Sequence, residues 1–152
     1  MQSILYLEDE PWQVDGTVVS VLRIEYAYQV KVVASADKAE AELQKSKYDA
    51  LVVDIMLDPN KPISYQKSAF EMLGRIKEGV FAPFGNEVSV PVVIASGVLD
   101  AVVTWLDGER IKVREGLSRI GIASECCIAK PFTAEELHMA IQSAIANSGR
   151  VA

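Results

Sequence analysis

The stretch Tyr48-Asp49-Ala50-Leu51-Val52-Val53-Asp54-Ile55-Met56-Leu57-Asp58-Pro59 constrains this chain more than any other. An apolar run, partly β-branched, leads straight into an aspartate and then into the turn-forming Asp58-Pro59-Asn60-Lys61-Pro62. A continuous apolar run bounded by turn signals predicts a strand buried on both faces, the kind found inside a parallel sheet. Asp54 then falls at the carboxyl end of that strand, where open α/β sheets place their ligands. An acid there can react and is held rigidly by the core. The plainer reading is a strand-end aspartate that only starts a turn.

The rest of the chain repeats the pattern. Ser3 to Leu7 is a short apolar run closed by Glu8-Asp9-Glu10-Pro11, and Pro11 suits the first position of a helix carrying Val14, Val18, Val21 and Leu22. Tyr28 to Ala34 predicts a second strand, with Ser35 or Asp37 as the cap of the next helix. Beyond Asp54, residues Asp58 to Gln66 lack periodicity and predict a long loop, and Ala69 to Lys77 predicts a helix. Gly79 to Asn86 is another loop, and Val90 to Ala95 is a buried strand ending at Ser96-Gly97. Leu99 to Ile120 predicts mostly helix, with Asp107-Gly108 as a break. Cys126 to Ala129 is the last strand, ending at Lys130-Pro131-Phe132. Thr133 to Glu136 is a capping box that opens the last helix. Strand and helix alternate five times. The expected fold is therefore α/β, a doubly wound five-stranded parallel sheet with helices on both faces, in strand order 2-1-3-4-5.

A chain of 152 residues fits one domain, 1–152, with lengthened loops around 58–68 and 79–89 and an enlarged fourth-helix region at 98–124. The net charge of −6 argues against nucleic-acid binding through a general basic field and fits an acidic cluster that awaits a cation. Neither a basic leader nor a membrane-length apolar run is seen, so the expected location is cytoplasmic with no membrane partner. Cys126 and Cys127 are neighbours in an expected strand, so their side chains diverge and a mutual disulfide is disfavoured. His138 is the only histidine, which argues against a structural zinc site.

The chemistry collects at the carboxyl ends of the strands: Glu8 and Asp9, then Asp54, Ser96 and Lys130. Carboxylates brought this close repel one another unless a cation joins them, and oxygen-only ligands suit Mg²⁺. A carboxylate beside such a metal can attack a phosphoryl group, with a lysine and a hydroxyl stabilising the transferring oxygens.

At Ile4-Leu5-Tyr6-Leu7-Glu8-Asp9-Glu10, Leu51-Val52-Val53-Asp54-Ile55-Met56, Val92-Val93-Ile94-Ala95-Ser96-Gly97 and Ala129-Lys130-Pro131-Phe132 the sequence resembles the receiver domains of two-component response regulators. The resemblance implies that Asp54 is the phosphoacceptor. It implies Mg²⁺ held by Asp9 directly, by Glu8 through water, by Asp54 and by the Met56 backbone carbonyl, with Glu10 competing with Glu8. Ser96 and Lys130 would contact the phosphoryl group, and the Lys130-Pro131 bond would be cis. The implied partner is a sensor histidine kinase or a histidine phosphotransfer protein, with output through protein–protein contacts of a stand-alone receiver and no separate substrate turnover. Met56 and Val98 would shield the acyl phosphate from water.

Three features depart from the family pattern. Cys127 stands three residues before Lys130, where receivers usually carry a switching aromatic. Asp58 replaces the usual proline after the acceptor, as a turn former or an extra carboxylate. The lengthened segment between Ser96 and Lys130, containing Trp105, would form a partner or homodimer surface together with the last helix. The competing reading is a pseudo-receiver that signals without phosphorylation. A metal-dependent phosphatase would need a second acid where Met56 stands, and a flavodoxin-like carrier would not place Glu8-Asp9-Glu10 in a phosphate loop.

Overall fold

The computed structural model describes residues 1–55, 63–97, 99–100, 102–106, 109–123 and 126–148, with residues 63–67, 103–106 and 109 described by backbone alone. Five strands form one parallel sheet: β1 (Ser3–Leu7), β2 (Gln29–Val33), β3 (Ala50–Asp54), β4 (Val92–Ser96) and β7 (Cys127–Ala129), in the order β2-β1-β3-β4-β7. This is the expected 2-1-3-4-5 order of the main sheet. Its last strand is seventh in the chain because two short strands intervene.

Period-two alternation divides the sheet into two faces. Leu5, Leu7, Leu51, Val53, Val92 and Ile94 pack against α3 (Ala36–Leu43), α4 (Ile63–Lys77) and α5 (Val113–Arg119). Ile4, Tyr6, Ala50, Val52, Val93 and Ala95 face the helical segments α1 (Trp12–Val14) and α2 (Ser20–Ile24) and the last helix, α6 (Ala134–Asn147). All five residues of β3 and of β4 are buried, as expected of strands covered on both sides. Full burial of one such aliphatic side chain contributes about 1.5–3 kcal/mol.

The predicted caps are present. The Ser35 side chain accepts from the Lys38 N–H, and Thr133 and Glu136 form a reciprocal capping box. Between α1 and α2 the helix widens into a π turn at Asp15–Val19, where Gly16 and the β-branched Thr17, Val18 and Val19 are weak helix formers.

Two expectations are corrected. The segment from Leu99 to Ile120 is not mostly helical. It holds an antiparallel hairpin, β5 (Val102–Leu106) with β6 (Glu109–Lys112), followed by the seven-residue α5. The β-branched and aromatic run Val102-Val103-Thr104-Trp105 favours a strand, and Asp-Gly is a preferred hairpin connection. Among its described residues, the expected enlarged fourth-helix region, 98–124, holds this hairpin and the short α5. In addition, α4 begins at Ile63, so the loop expected through Gln66 is shorter. Residues 63–68 carry no apolar stripe, which is why periodicity did not reveal that turn of helix.

A buried asparagine ties down the loop before β4. The Asn86 side chain accepts from the Tyr48 N–H at 2.8 Å and donates to the Leu43 and Ser46 carbonyls, each at 2.8 Å. Gly85 precedes it with φ +98, and a Cβ there would also meet Lys47 Cβ at 3.2 Å.

Candidate functional site

Strand parity aims the acids. Tyr6 and Glu8 share one face of β1 and its extension, and Val52 and Asp54 share the same face of β3. The register pairs Tyr6 with Val52, so Glu8 and Asp54 emerge side by side at the carboxyl edge. Oxygens of Glu8, Asp9 and Asp54 all lie within 4.8 Å of one another. Glu8 is wholly buried, Asp9 is half-buried, and the Asp54 side chain is covered.

Lys130 answers them from the far side. Its Nζ donates to Asp54 Oδ2 at 2.5 Å and stands 3.6 Å from Glu8 Oε2. Its backbone N–H is 3.2 Å from the Ser96 carbonyl, which anchors the chain after β7 to the end of β4. The Lys130-Pro131 peptide bond is cis, as expected. Burial alone would lower the Lys130 ammonium, but the hydrogen bond and charge of Asp54, then Glu8, outweigh it and raise the group above its ordinary value. For Glu8, burial comes first, followed by the hydrogen bond and charge of Asp54. Together they push it up to about 9, against a smaller opposing effect from Lys130.

Glu8 Oε2 and Asp54 Oδ1 are buried and accept no hydrogen bond among the described residues, and Tyr6 Oη beneath them is likewise unpartnered. Buried unpartnered carboxylate oxygens, converging with a third acid, fit a hard divalent cation such as Mg²⁺. Glu10 stands apart from this cluster. Its carboxylate accepts from the Gln13 side-chain amide, and its N–H donates to Glu8 Oε1 at 3.2 Å.

Ser96 reaches the same edge, but its Oγ donates to the Ile55 carbonyl at 2.5 Å. Cys127 is half-buried, with Sγ 3.7 Å from the Ala123 carbonyl. Met56, Asp58 and Val98 lie outside the described residues, and so does the Trp105 side chain. The two cysteines form no disulfide with one another. His138 sits on α6 against Tyr26 and Tyr28, with Nδ1 2.7 Å from Tyr28 Oη. No helix among the described residues is long and apolar enough to cross a membrane. Sequence reasoning assigned no role to Tyr6. The signal was a phenol at an inward position of β1 where any aliphatic residue would serve the core.

No protein-family model matches the sequence, and neither does any curated protein. Solved structures do match in fold. The chemotaxis response regulator CheY4 of Vibrio cholerae aligns with a TM-score of 0.63 and 19% identity over 95% of this chain and 98% of its own. A CheY-like response regulator receiver domain from Methanospirillum hungatei gives 0.65 and 18% over 98% and 97%. The receiver domain of a sensor histidine kinase from Pseudomonas aeruginosa, solved with a magnesium ion coordinated in its active-site cleft, gives 0.61 and 24% over 95% and 98%. The chain has the fold of CheY-like response regulator receiver domains over nearly its whole length.

Proposed function

We propose that this protein is a response regulator receiver that takes a phosphoryl group onto Asp54. The observation that carries the reading is the state of the Asp54 carboxylate. One oxygen is paired with Lys130, the other is unpartnered, and both stand among Glu8 and Asp9. A structural ion pair would need Lys130 and one acid, whereas three acids converge here and Lys130 is the one ammonium that pairs with Glu8 and Asp54 among the described residues.

Mg²⁺ held by Asp9 and Asp54, with Glu8 acting through a bound water and the Met56 carbonyl completing the set, would neutralise charge on the transferring oxygens. An Asp54 oxygen attacks phosphorus of a phosphohistidine. The O–P bond forms as the P–N bond breaks, and the electron pair leaves with the imidazole nitrogen. Lys130 follows the charge from the carboxylate to a phosphoryl oxygen, and Ser96 turns from the Ile55 carbonyl to donate to another. The donor is a sensor histidine kinase or a histidine phosphotransfer protein. The output is contact with another protein in the cytoplasm, without turnover of a separate substrate.

The test is intact-mass spectrometry after incubation with Mg²⁺ and a small acyl-phosphate donor, beside Asp54→Asn. A phosphate adduct in the wild type only supports the reading. No adduct, with no Mg²⁺ binding by titration, turns the assignment to a pseudo-receiver that signals through protein contacts alone.

A further inference from the structure

Tyr6 is wholly buried in β1, directly beneath the acids. It stands two residues before Glu8 on the same face and, by register, opposite Val52, two residues before Asp54. Diagonal neighbours at that spacing are within reach of a long aromatic side chain. Its hydroxyl has no hydrogen-bond partner among the described residues. Phenylalanine would fill the same core space without burying a hydroxyl. A bound cation would satisfy the unpartnered oxygens of Glu8 and Asp54, but a phenol hydrogen needs an acceptor, not a metal. One buried pocket thus holds a phenol oxygen and two carboxyl oxygens, Glu8 Oε2 and Asp54 Oδ1, none of them with a hydrogen-bond partner among the described residues.

We infer that Tyr6 is a positioning residue of the phosphoacceptor pocket, its hydroxyl and Asp54 Oδ1, both unpartnered as the structure stands, closing into a direct hydrogen bond from the core side. Asp54 is the better acceptor of the two. Glu8 already accepts from the Glu10 N–H on one oxygen and faces the Lys130 ammonium with the other, whereas Asp54 Oδ1 has no hydrogen-bond partner among the described residues.

The consequence rests on the phosphoacceptor reading. When the acyl phosphate hydrolyses, water attacks phosphorus, the bond from phosphorus to the Asp54 oxygen breaks, and the carboxylate leaves with the electron pair. A donor aimed at that carboxylate stabilises the leaving group. Tyr6 therefore shortens the life of the phosphorylated state.

Two measurements on the whole chain test this. In Mg²⁺-free protein labelled at tyrosine ¹³Cζ, the Tyr6 resonance is identified by its loss in Tyr6→Phe. It is expected downfield, as for a phenol donating to a carboxylate, and should return toward the free-phenol position in Asp54→Ala but not in Glu8→Gln. An unchanged position in Asp54→Ala overturns the placement, and this readout needs no phosphodonor. In phosphorylated protein, Tyr6→Phe should hold its phosphate roughly tenfold longer than wild type. Lifetimes within about twofold of each other overturn the proposal, being no more than a weak packing change would give. If the wild type takes no phosphate, the phosphoacceptor reading falls, and the resonance alone decides where the hydroxyl points.

Discussion

Lys130 Nζ lies between two acids, 2.5 Å from Asp54 Oδ2 and 3.6 Å from Glu8 Oε2. It is the single ammonium among the described residues that offsets the repulsion of the acid cluster from within hydrogen-bonding range. Lys130→Met removes the charge and keeps the stem. The expected cost in Mg²⁺-free buffer is roughly 2–3 kcal/mol, less than a fully buried pair would lose, because the ammonium keeps some water and the acids can take up a proton. Mg²⁺ should stabilise Lys130→Met more than wild type, since it replaces the missing positive charge. Denaturant unfolding with and without Mg²⁺ reads both effects, and equal Mg²⁺-induced gains would sink the account.

Glu8 sets the pH dependence. Pushed up to about 9 from 4.5, it holds in the folded chain a proton that the unfolded chain releases as pH passes through that window. Its contribution to stability is therefore full below the unfolded value and is lost as pH rises toward the folded one. Cation binding must displace the same proton, so Mg²⁺ affinity should climb with pH across this window, by at most about tenfold per pH unit for one proton released. Glu8→Gln should flatten both curves. Calorimetric titration with Mg²⁺ at several pH values tests it, and a flat wild-type profile would exclude Glu8 as the controlling group.

The five main strands were legible because each is a short apolar run stopped by polar or turn residues, and the same stops supplied Glu8, Asp9, Asp54, Ser96 and Lys130. Parity alone then sends Glu8 and Asp54 to one face. The hairpin at Val102–Lys112 was misread because its apolar residues also fit a helical spacing. The β-branched run and the Asp107-Gly108 pair were the better guide. Asn86 and Tyr6 were illegible for another reason. Nothing local marks an asparagine as a buried clasp on a segment 38 residues away, or a strand tyrosine as an unpaired donor. Both facts exist only once the sheet is assembled.

Asn86 carries a stability prediction independent of the acid site. Its side chain satisfies the Tyr48 N–H and two carbonyls, and the residue is wholly buried. Asn86→Ala strands a buried N–H at the entry to β3 and should cost about 2–4 kcal/mol. The expected result is a lower denaturant midpoint with an unchanged slope, and with phosphate uptake by the surviving folded protein intact. A loss below about 0.5 kcal/mol would mean that water replaces the clasp.

Ser96 carries the last prediction. Its hydroxyl is engaged with the Ile55 carbonyl, the residue directly after Asp54, so it cannot serve a phosphoryl group without releasing that contact. Release frees a buried carbonyl on the segment leaving β3 and shifts the end of β4, which pairs with β7 through Ser96 and Ala129. Cys127 lies on that same β7 with its thiol turned to Ala123, and it has no ring to swing. Phosphorylation should therefore reach the β7 edge through Ser96. Ser96→Ala should still accept phosphate on Asp54 but lose the phosphorylation-dependent change in amide exchange at Cys127–Ala129, whereas Cys127→Ala should keep it. The opposite pattern, with the signal lost in Cys127→Ala and kept in Ser96→Ala, would place the relay on the thiol.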